Sequence, residues 1–390
     1  MSSPPHTVLV VQPFFSDLNH APVNALILLA MTMGCPESRI VFVAHPNHYE
    51  AVCAVMPLLR PRLQFRPTEV MRNGPPSRTR FRQHLAMLGG AIEATRPDCV
   101  LCLSIAPETL FAGATIRAMR RLPIAAILHG DLATATGWRS RDPRRRLFDY
   151  RSAIRVAVWA GLRFVVLEEH IRRGAEELGL LPVGRCDVWP HPIADAEWVH
   201  EPPPLNTVRP CLGFLGFARR QKGFDAFLEM LRAAPDRYEF RLVGEVTDAE
   251  YLPLPERLTM VPDLRDRTRF AAAVRAVDYA CVFLDEHTYR LTSSGSVIDA
   301  MAALRPMIGP ETAATRAMFG AVQTGYFPAT PEALAALLQD GKALTDAARY
   351  RTFQDGLMSL RRGRTPAELV EPIVRTLDVM TRTARRTHGT

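Results

Sequence analysis

Residues Tyr279–Gly309 read YACVFLDEHTYRLTSSGSVIDAMAALRPMIG, and this stretch decides the fold. Tyr279–Leu284 is a short, unbroken apolar run, the mark of a strand buried on both faces. A polar loop follows and closes with Thr292-Ser293-Ser294-Gly295-Ser296. Val297–Leu304 then carries apolar side chains at helical spacing, and Pro306-Met307-Ile308 begins another buried strand. A Ser/Gly loop that leaves a strand and opens a helix aims unpaired backbone N–H groups outward at the positive end of the helix dipole. Such a terminus binds phosphate. Asp299 falls in the first turn of the expected helix, where its carboxylate is placed to accept from a sugar hydroxyl. An ordinary N-capped helix would show the same letters.

Working outward, the chain alternates strand and helix. Strands are expected at Thr7–Val11, Arg39–Ala44, Leu63–Phe65, Asp98–Leu103, Pro123–Leu128, Arg163–Leu167 and Cys186–Trp189. Helices are expected at Ala21–Met33, Arg80–Thr95, Glu108–Arg120 and Glu169–Leu178. Pro190–Pro210 breaks the rhythm with Pro192, Pro202, Pro203 and Pro204. The alternation restarts at Pro210–Leu215 and continues through Phe224–Ala233, Phe240–Val243, Leu258–Val261 and Arg267–Val274. Helical patterns at Pro331–Leu338, Thr345–Leu360 and Pro366–Arg385 close the chain. This order predicts an α/β protein with two parallel, doubly wound sheets. The domains are expected at residues 1–190 and 210–364, joined by a linker at 191–209. Residues 365–390 form a last helix that returns to the first domain.

Composition narrows the function classes. The 390 residues are 47% hydrophobic and 23% charged, enough for two full cores. A net charge of +8 and a pI near 9.4 point to an anionic partner. No basic stripe interleaved with aromatics suggests nucleic acid. The seven cysteines are odd in number and scattered, as in a reducing compartment. Cys99 and Cys102 form a CxxC inside an apolar strand, so no metal or redox site is expected there. The start lacks the pattern of a secretory signal, and no run reaches the ~18 apolar residues of a membrane span. A cytoplasmic protein is expected, with peripheral contact at a membrane as an option.

A second phosphate-type turn lies at Gly213–Asp225: GFLGFARRQKGFD. A strand ends at Gly216, and Arg219, Arg220 and Lys222 precede a helix, which suits a diphosphate at the carboxyl edge of the sheet. A solvated basic turn is the alternative, and the pairing with the first loop weighs against it. Asp263, in Val261-Pro262-Asp263-Leu264, sits in a loop between these two. In the N-terminal half, His129 ends a buried strand beside Gly130 and Asp131. His20 lies in the first loop, with Asn24 one turn on. Either Asp131 or His20 could serve as general base. Arg139–Arg155 holds seven arginines against Asp142 and Asp149. It reads as a solvated face, or, with Leu147, Phe148, Ile154 and Val158 interleaved, as a surface for anionic lipid.

These motifs resemble the group-1 (family 4) glycosyltransferases of the GT-B fold. Asp299–Ile308 is similar to that family's E-A-M-A-x-G-x-P-V-I, with Asp for Glu and Leu304 for Gly. Gly216–Gly223 is similar to G-R-x-x-x-x-K-G, with Lys222-Gly223 matching and Phe217 in the Arg place. Arg219 or Arg220 would then supply the missing guanidinium. The family's other glutamate is replaced by Leu291. The resemblance implies two Rossmann-like domains facing across a cleft, with the nucleotide sugar held by the C-terminal one. It further implies that Lys222, an adjacent Arg and the 293–296 amides hold the diphosphate, that Asp299 holds the ribose, that Asp263 borders the base and that His129 faces the donor sugar. No metal and no cofactor are implied, and the acceptor would be a glycan or lipid-linked glycan.

Overall fold

A computed structural model describes residues 5–15, 20–69, 71, 77–129, 131–136, 148–193, 199–261 and 267–388. The chain divides into two compact units. The first comprises Met1–Pro192, Leu291–Ser293 and Pro366–Thr390, and the second Ile193–Arg290 and Ser294–Thr365.

In the first unit, β1 (Thr7–Gln12), β2 (Arg39–Ala44), β3 (Leu63–Pro67), β4 (Cys99–Cys102), β5 (Ile124–Ile127), β6 (Arg163–Val166) and β7 (Cys186–Val188) form one parallel sheet of order β3-β2-β1-β4-β5-β6-β7. Strand residues alternate between two cores, as the two-residue period of a strand requires. Val8 and Val10 pack on one face with the helices Ala21–Gly34, Pro46–Val55 and Pro366–His388. Leu9 and Val11 pack on the other with Arg78–Thr95, Pro107–Arg120, Tyr150–Trp159 and Glu169–Glu177. The C-terminal helix is tied down by Thr376, whose hydroxyl accepts from Trp189 Nε1 at 3.2 Å and donates to Asp187 Oδ2 at 2.8 Å.

The second unit repeats the architecture. Its strands are β8 (Cys211–Leu215), β9 (Glu239–Val243), β10 (Leu258–Val261), β11 (Tyr279–Cys281), β12 (Met307–Ile308) and β13 (Gly325–Tyr326), parallel and ordered β10-β9-β8-β11-β12-β13. Helix Phe224–Ala233 packs on one face and Gly295–Ala302 on the other.

Several bounds differ from the sequence reading. The run Tyr279–Leu284 is strand only to Cys281; Val282 still donates its N–H to Ile308 O at 2.8 Å, and Val282–Leu284 stay buried. The helix expected at Val297 begins at Gly295. Helices at Pro46–Val55 and Ala313–Phe319 were not anticipated, nor was β13. The first carries a start signal, Pro46 at its first turn with His45 Nδ1 accepting from Asn47 N. In the Pro-rich stretch, Ile193 is already buried in the second unit, and Pro203 O accepts from Gln354 Nε2 at 2.8 Å. No helix among the described residues is long and apolar enough to cross a membrane.

Candidate functional site

A parallel sheet binds ligands where strand order reverses, because the loops leaving the two central strands turn opposite ways and open a crevice. In the second unit that point lies between β8 and β11. β8 runs into Gly216, whose φ of 92 belongs to glycine. A Cβ there would sit 2.7 Å from Lys222 Nζ, so the bare backbone makes room for the ammonium. Arg220–Lys222 form one 3₁₀ turn, and Gly223, at φ 72, starts the next helix.

Lys222 Nζ donates to Ser296 Oγ at 3.2 Å, and that hydroxyl donates onward to Leu215 O at 2.7 Å. Ser296 is in the first turn of helix Gly295–Ala302, so the lysine reaches the positive end of a helix dipole. Two positive features brought together out of water call for an anion. Burial, with help from the Arg219 guanidinium, pushes the Lys222 ammonium down to about 8. Among the described residues, Ser294 Oγ, at the helix start, is buried without a hydrogen-bond partner, as is Arg219 Nε.

The two arginines left as alternatives by sequence differ in burial. Arg220 has a side chain 79% exposed and pairs with Asp225 at 3.3 Å. Arg219 is half-buried and close enough to Lys222 to depress its charge. Thr292 Oγ1 and Ser293 Oγ are also buried without partners among the described residues, but they group with the first unit. Gly295 lies inside the helix rather than in the loop, with nothing near its missing side chain.

Asp299 requires a correction. With the helix starting at Gly295, it lies in the second turn, not the first. Its Oδ1 is ion-paired with Arg267 Nη2 at 2.6 Å, and its side chain is 16% exposed. Gly130, Asp263 and Arg139–Leu147 lie outside the described residues, as does the side chain of Asp131, which opens the short helix Asp131–Thr136.

In the first unit the order reverses between β1 and β4. There Gln12 Nε2 donates to Ser104 Oγ at 2.6 Å across the switch point. One strand along, His129 Nε2 donates to Leu103 O at 2.7 Å. A carbonyl only accepts, so Nε2 carries the proton and Nδ1 holds a lone pair. Burial and the nearby His191 push His129 down to about 4, which keeps the ring neutral. His20 meets it edge-on, ring centres 4.8 Å apart, and stacks on Phe15. Asn24 turns away to His48 Nε2 at 3.0 Å. Gln12 and Ser104 were missed by sequence, although Gln12 is the polar end of one apolar strand and Ser104 lies two residues past another.

Beside them is a buried polar cluster that sequence also missed. Thr109 Oγ1 accepts from Ala106 N and contacts His84 Nδ1 at 3.1 Å. Arg80 Nε lies 3.3 Å from Glu108 Oε1, and Glu108 is fully buried. Burial, then Arg80, pushes His84 down to about 4. The unfolded chain binds this proton below about 6.5. Stability from a neutral His84 is thus complete above that pH and is lost as pH falls toward 4. Between pH 7 and pH 5 the loss should reach about 2 kcal/mol. Urea melts of the protein and of His84→Gln at both pH values test this; parallel pH dependence in the two would count against it.

Cys99 and Cys102 are buried in β4, and burial raises both thiols, Cys102 to about 12. Among the described residues no group of three His, Cys, Asp or Glu side chains is placed to hold a metal.

No protein-family model matches the chain, and no curated protein matches it. Solved structures do. The sucrose-phosphate synthase of Thermosynechococcus elongatus superposes with a TM-score of 0.68 at 12% identity, covering 98% of this chain and 100% of that one. Anabaena Alr3699/HepE, solved with UDP and glucose, gives 0.65 at 13% identity over 95% and 99%. The chain has the GT-B fold. A UDP-N-acetylglucosamine 2-epimerase shares the GT-B likeness more distantly, at 0.55 and 12% identity over 96% and 95%.

Proposed function

We propose that this GT-B chain transfers a sugar from a nucleoside-diphosphate donor to an acceptor hydroxyl, of a glycan or lipid-linked glycan. The observation that carries the reading is Lys222 on Ser296 at a helix N-terminus, in the crevice beside β8 and β11. The donor is held by the second unit and the acceptor by the first. As the bond from the anomeric carbon to the diphosphate breaks, its electron pair goes to a phosphate oxygen. Lys222, Arg219 and the amides opening helix Gly295–Ala302 meet that growing charge. The acceptor hydroxyl attacks the anomeric carbon and gives its proton to a base, for which Asp131 and His20 are the candidates.

Asp299, ion-paired with Arg267, is the carboxylate that takes the ribose in this reading. Contact with an anionic membrane surface belongs to the same reading. Because Lys222 and Arg219 supply the positive charge, a chelator should leave turnover unchanged. A sugar-nucleotide epimerase or hydrolase is the second reading, favoured by the distant likeness to the 2-epimerase. A non-catalytic nucleotide-sugar binder in a polysaccharide-assembly complex would form no product at all.

Labelled nucleotide sugars incubated with and without acceptor separate these. Transfer requires product only when acceptor is present; an epimer or free sugar without acceptor would replace the reading. A donor panel read by thermal shift identifies the nucleotide, since a ligand at a hundred times its dissociation constant adds about 2.7 kcal/mol.

Gly216→Ala should weaken nucleotide-diphosphate binding about 10-fold although Lys222 remains. The new Cβ would meet Nζ at 2.7 Å on a backbone at φ 92, driving the ammonium off Ser296. Titration calorimetry reads the loss, and unaltered affinity in a folded variant would show that Lys222 does not need its present place.

A further inference from the structure

We propose that a groove on one helical layer of the first unit docks an anionic lipid bilayer, with Trp159 and Met119 entering the lipid. The proposal rests on the membrane contact included in the reading above and gives it a place on the fold. Helices Arg78–Thr95, Pro107–Arg120 and Tyr150–Trp159 enclose a groove of about 620 Å³. Phe81, Phe111, Met119, Phe148, Val156 and Trp159 form its walls. Trp159 is 84% exposed and Met119 77%.

Water-facing surface of this kind, gathered in one place, marks a contact site. The charge around it selects the partner. Arg78 and Arg82 line the groove, and Arg155 is one turn from Trp159 on the same helix. Among the described residues none of the three is paired with a carboxylate, and no Asp or Glu lines the groove. A tryptophan at the centre and arginines of one sign at the rim suit the boundary between acyl chains and anionic headgroups, where an indole rests and long basic side chains reach outward. The net charge of +8 acts in the same direction.

Of the residues singled out around Arg139–Arg155, Phe148 lines the groove and Arg155 flanks it, but the apolar side chains of the helix differ from those expected. Ile154 is buried beneath the helix, and Val158 packs on the same core. Val156 and Trp159, one turn apart, are the side chains that face outward.

The full chain should co-sediment with vesicles of phosphatidylcholine and phosphatidylglycerol. Vesicles of phosphatidylcholine alone should capture it weakly, and added salt should release it. Trp159→Ala and Arg155→Glu should each lower the bound fraction several-fold at limiting lipid, with melting temperature unchanged because both side chains are exposed. Failure to bind the anionic vesicles would overturn the proposal. So would variants that bind like the wild type, or a lipid-free dimer that Trp159→Ala dissociates, which would assign the groove to a second copy of the chain.

Discussion

Lys222→Ala should lower turnover by about 10²–10³-fold, the loss found when one preorganised donor to a developing oxyanion is removed. The ammonium lies 3.2 Å from Ser296 Oγ, held by a hydroxyl whose own proton is committed to Leu215 O. Nothing in that chain of bonds needs the lysine for folding, since Ser296 keeps its carbonyl partner without it. The variant should therefore melt near the wild-type temperature while nucleotide-diphosphate affinity falls about 10-fold or more. The depressed ammonium adds a second signature. A diphosphate favours the charged form, so in the wild type affinity should fall by about tenfold per pH unit above about 8. In Lys222→Ala that slope should vanish. A folded variant with unchanged affinity and an unchanged pH profile would remove Lys222 from the donor site.

His129→Ala should lower turnover at least ~10-fold, worth about 1.4 kcal/mol, with nucleotide affinity nearly unchanged. The ring closes β5 at the carboxyl edge of the first sheet, and its bond to Leu103 O fixes the orientation. In the proposed reaction Nδ1 would accept from a hydroxyl of the sugar or acceptor, a role that positions reacting groups rather than binding the nucleotide. Being neutral down to about 4, His129 should give the rate no inflection near pH 6.5. The same hydrogen bond also contributes to stability, so melting temperature and turnover must be measured on one sample. An early-melting variant that turns over normally in the cold would leave His129 a structural residue.

The architecture was legible because each strand is a contiguous code. Arg39–Ala44, Phe224–Ala233 and Leu258–Val261 have the bounds expected of them, since apolar period and flanking turn residues agree there. The turn Gly216–Gly223 was legible for a related reason: its two glycines punctuate a backbone that only glycine adopts easily. Side-chain partnerships were not. Asp299 pairs with a residue 32 positions away, and no local pattern announces Arg267. Arg219 and Arg220 are adjacent and alike in letters, and only burial separates them. Glu108 and His84 looked like ordinary helix residues until the fold removed both from water.

The helix Pro366–His388 carries a consequence for how the protein is made. Its Leu369, Ile373 and Leu377 complete a core that begins with Val8. A ribosome delivers Val8 early and Leu377 only after the whole second unit has emerged. Domains ordinarily fold as they appear, yet here the earlier unit must wait with an apolar face open while the later one can close on its own. The nascent chain is thus most exposed to chaperones and proteases late in synthesis, at its oldest part. Substitutions in the last helix should accordingly depress yield in cells more than they depress the melting temperature of the protein that survives.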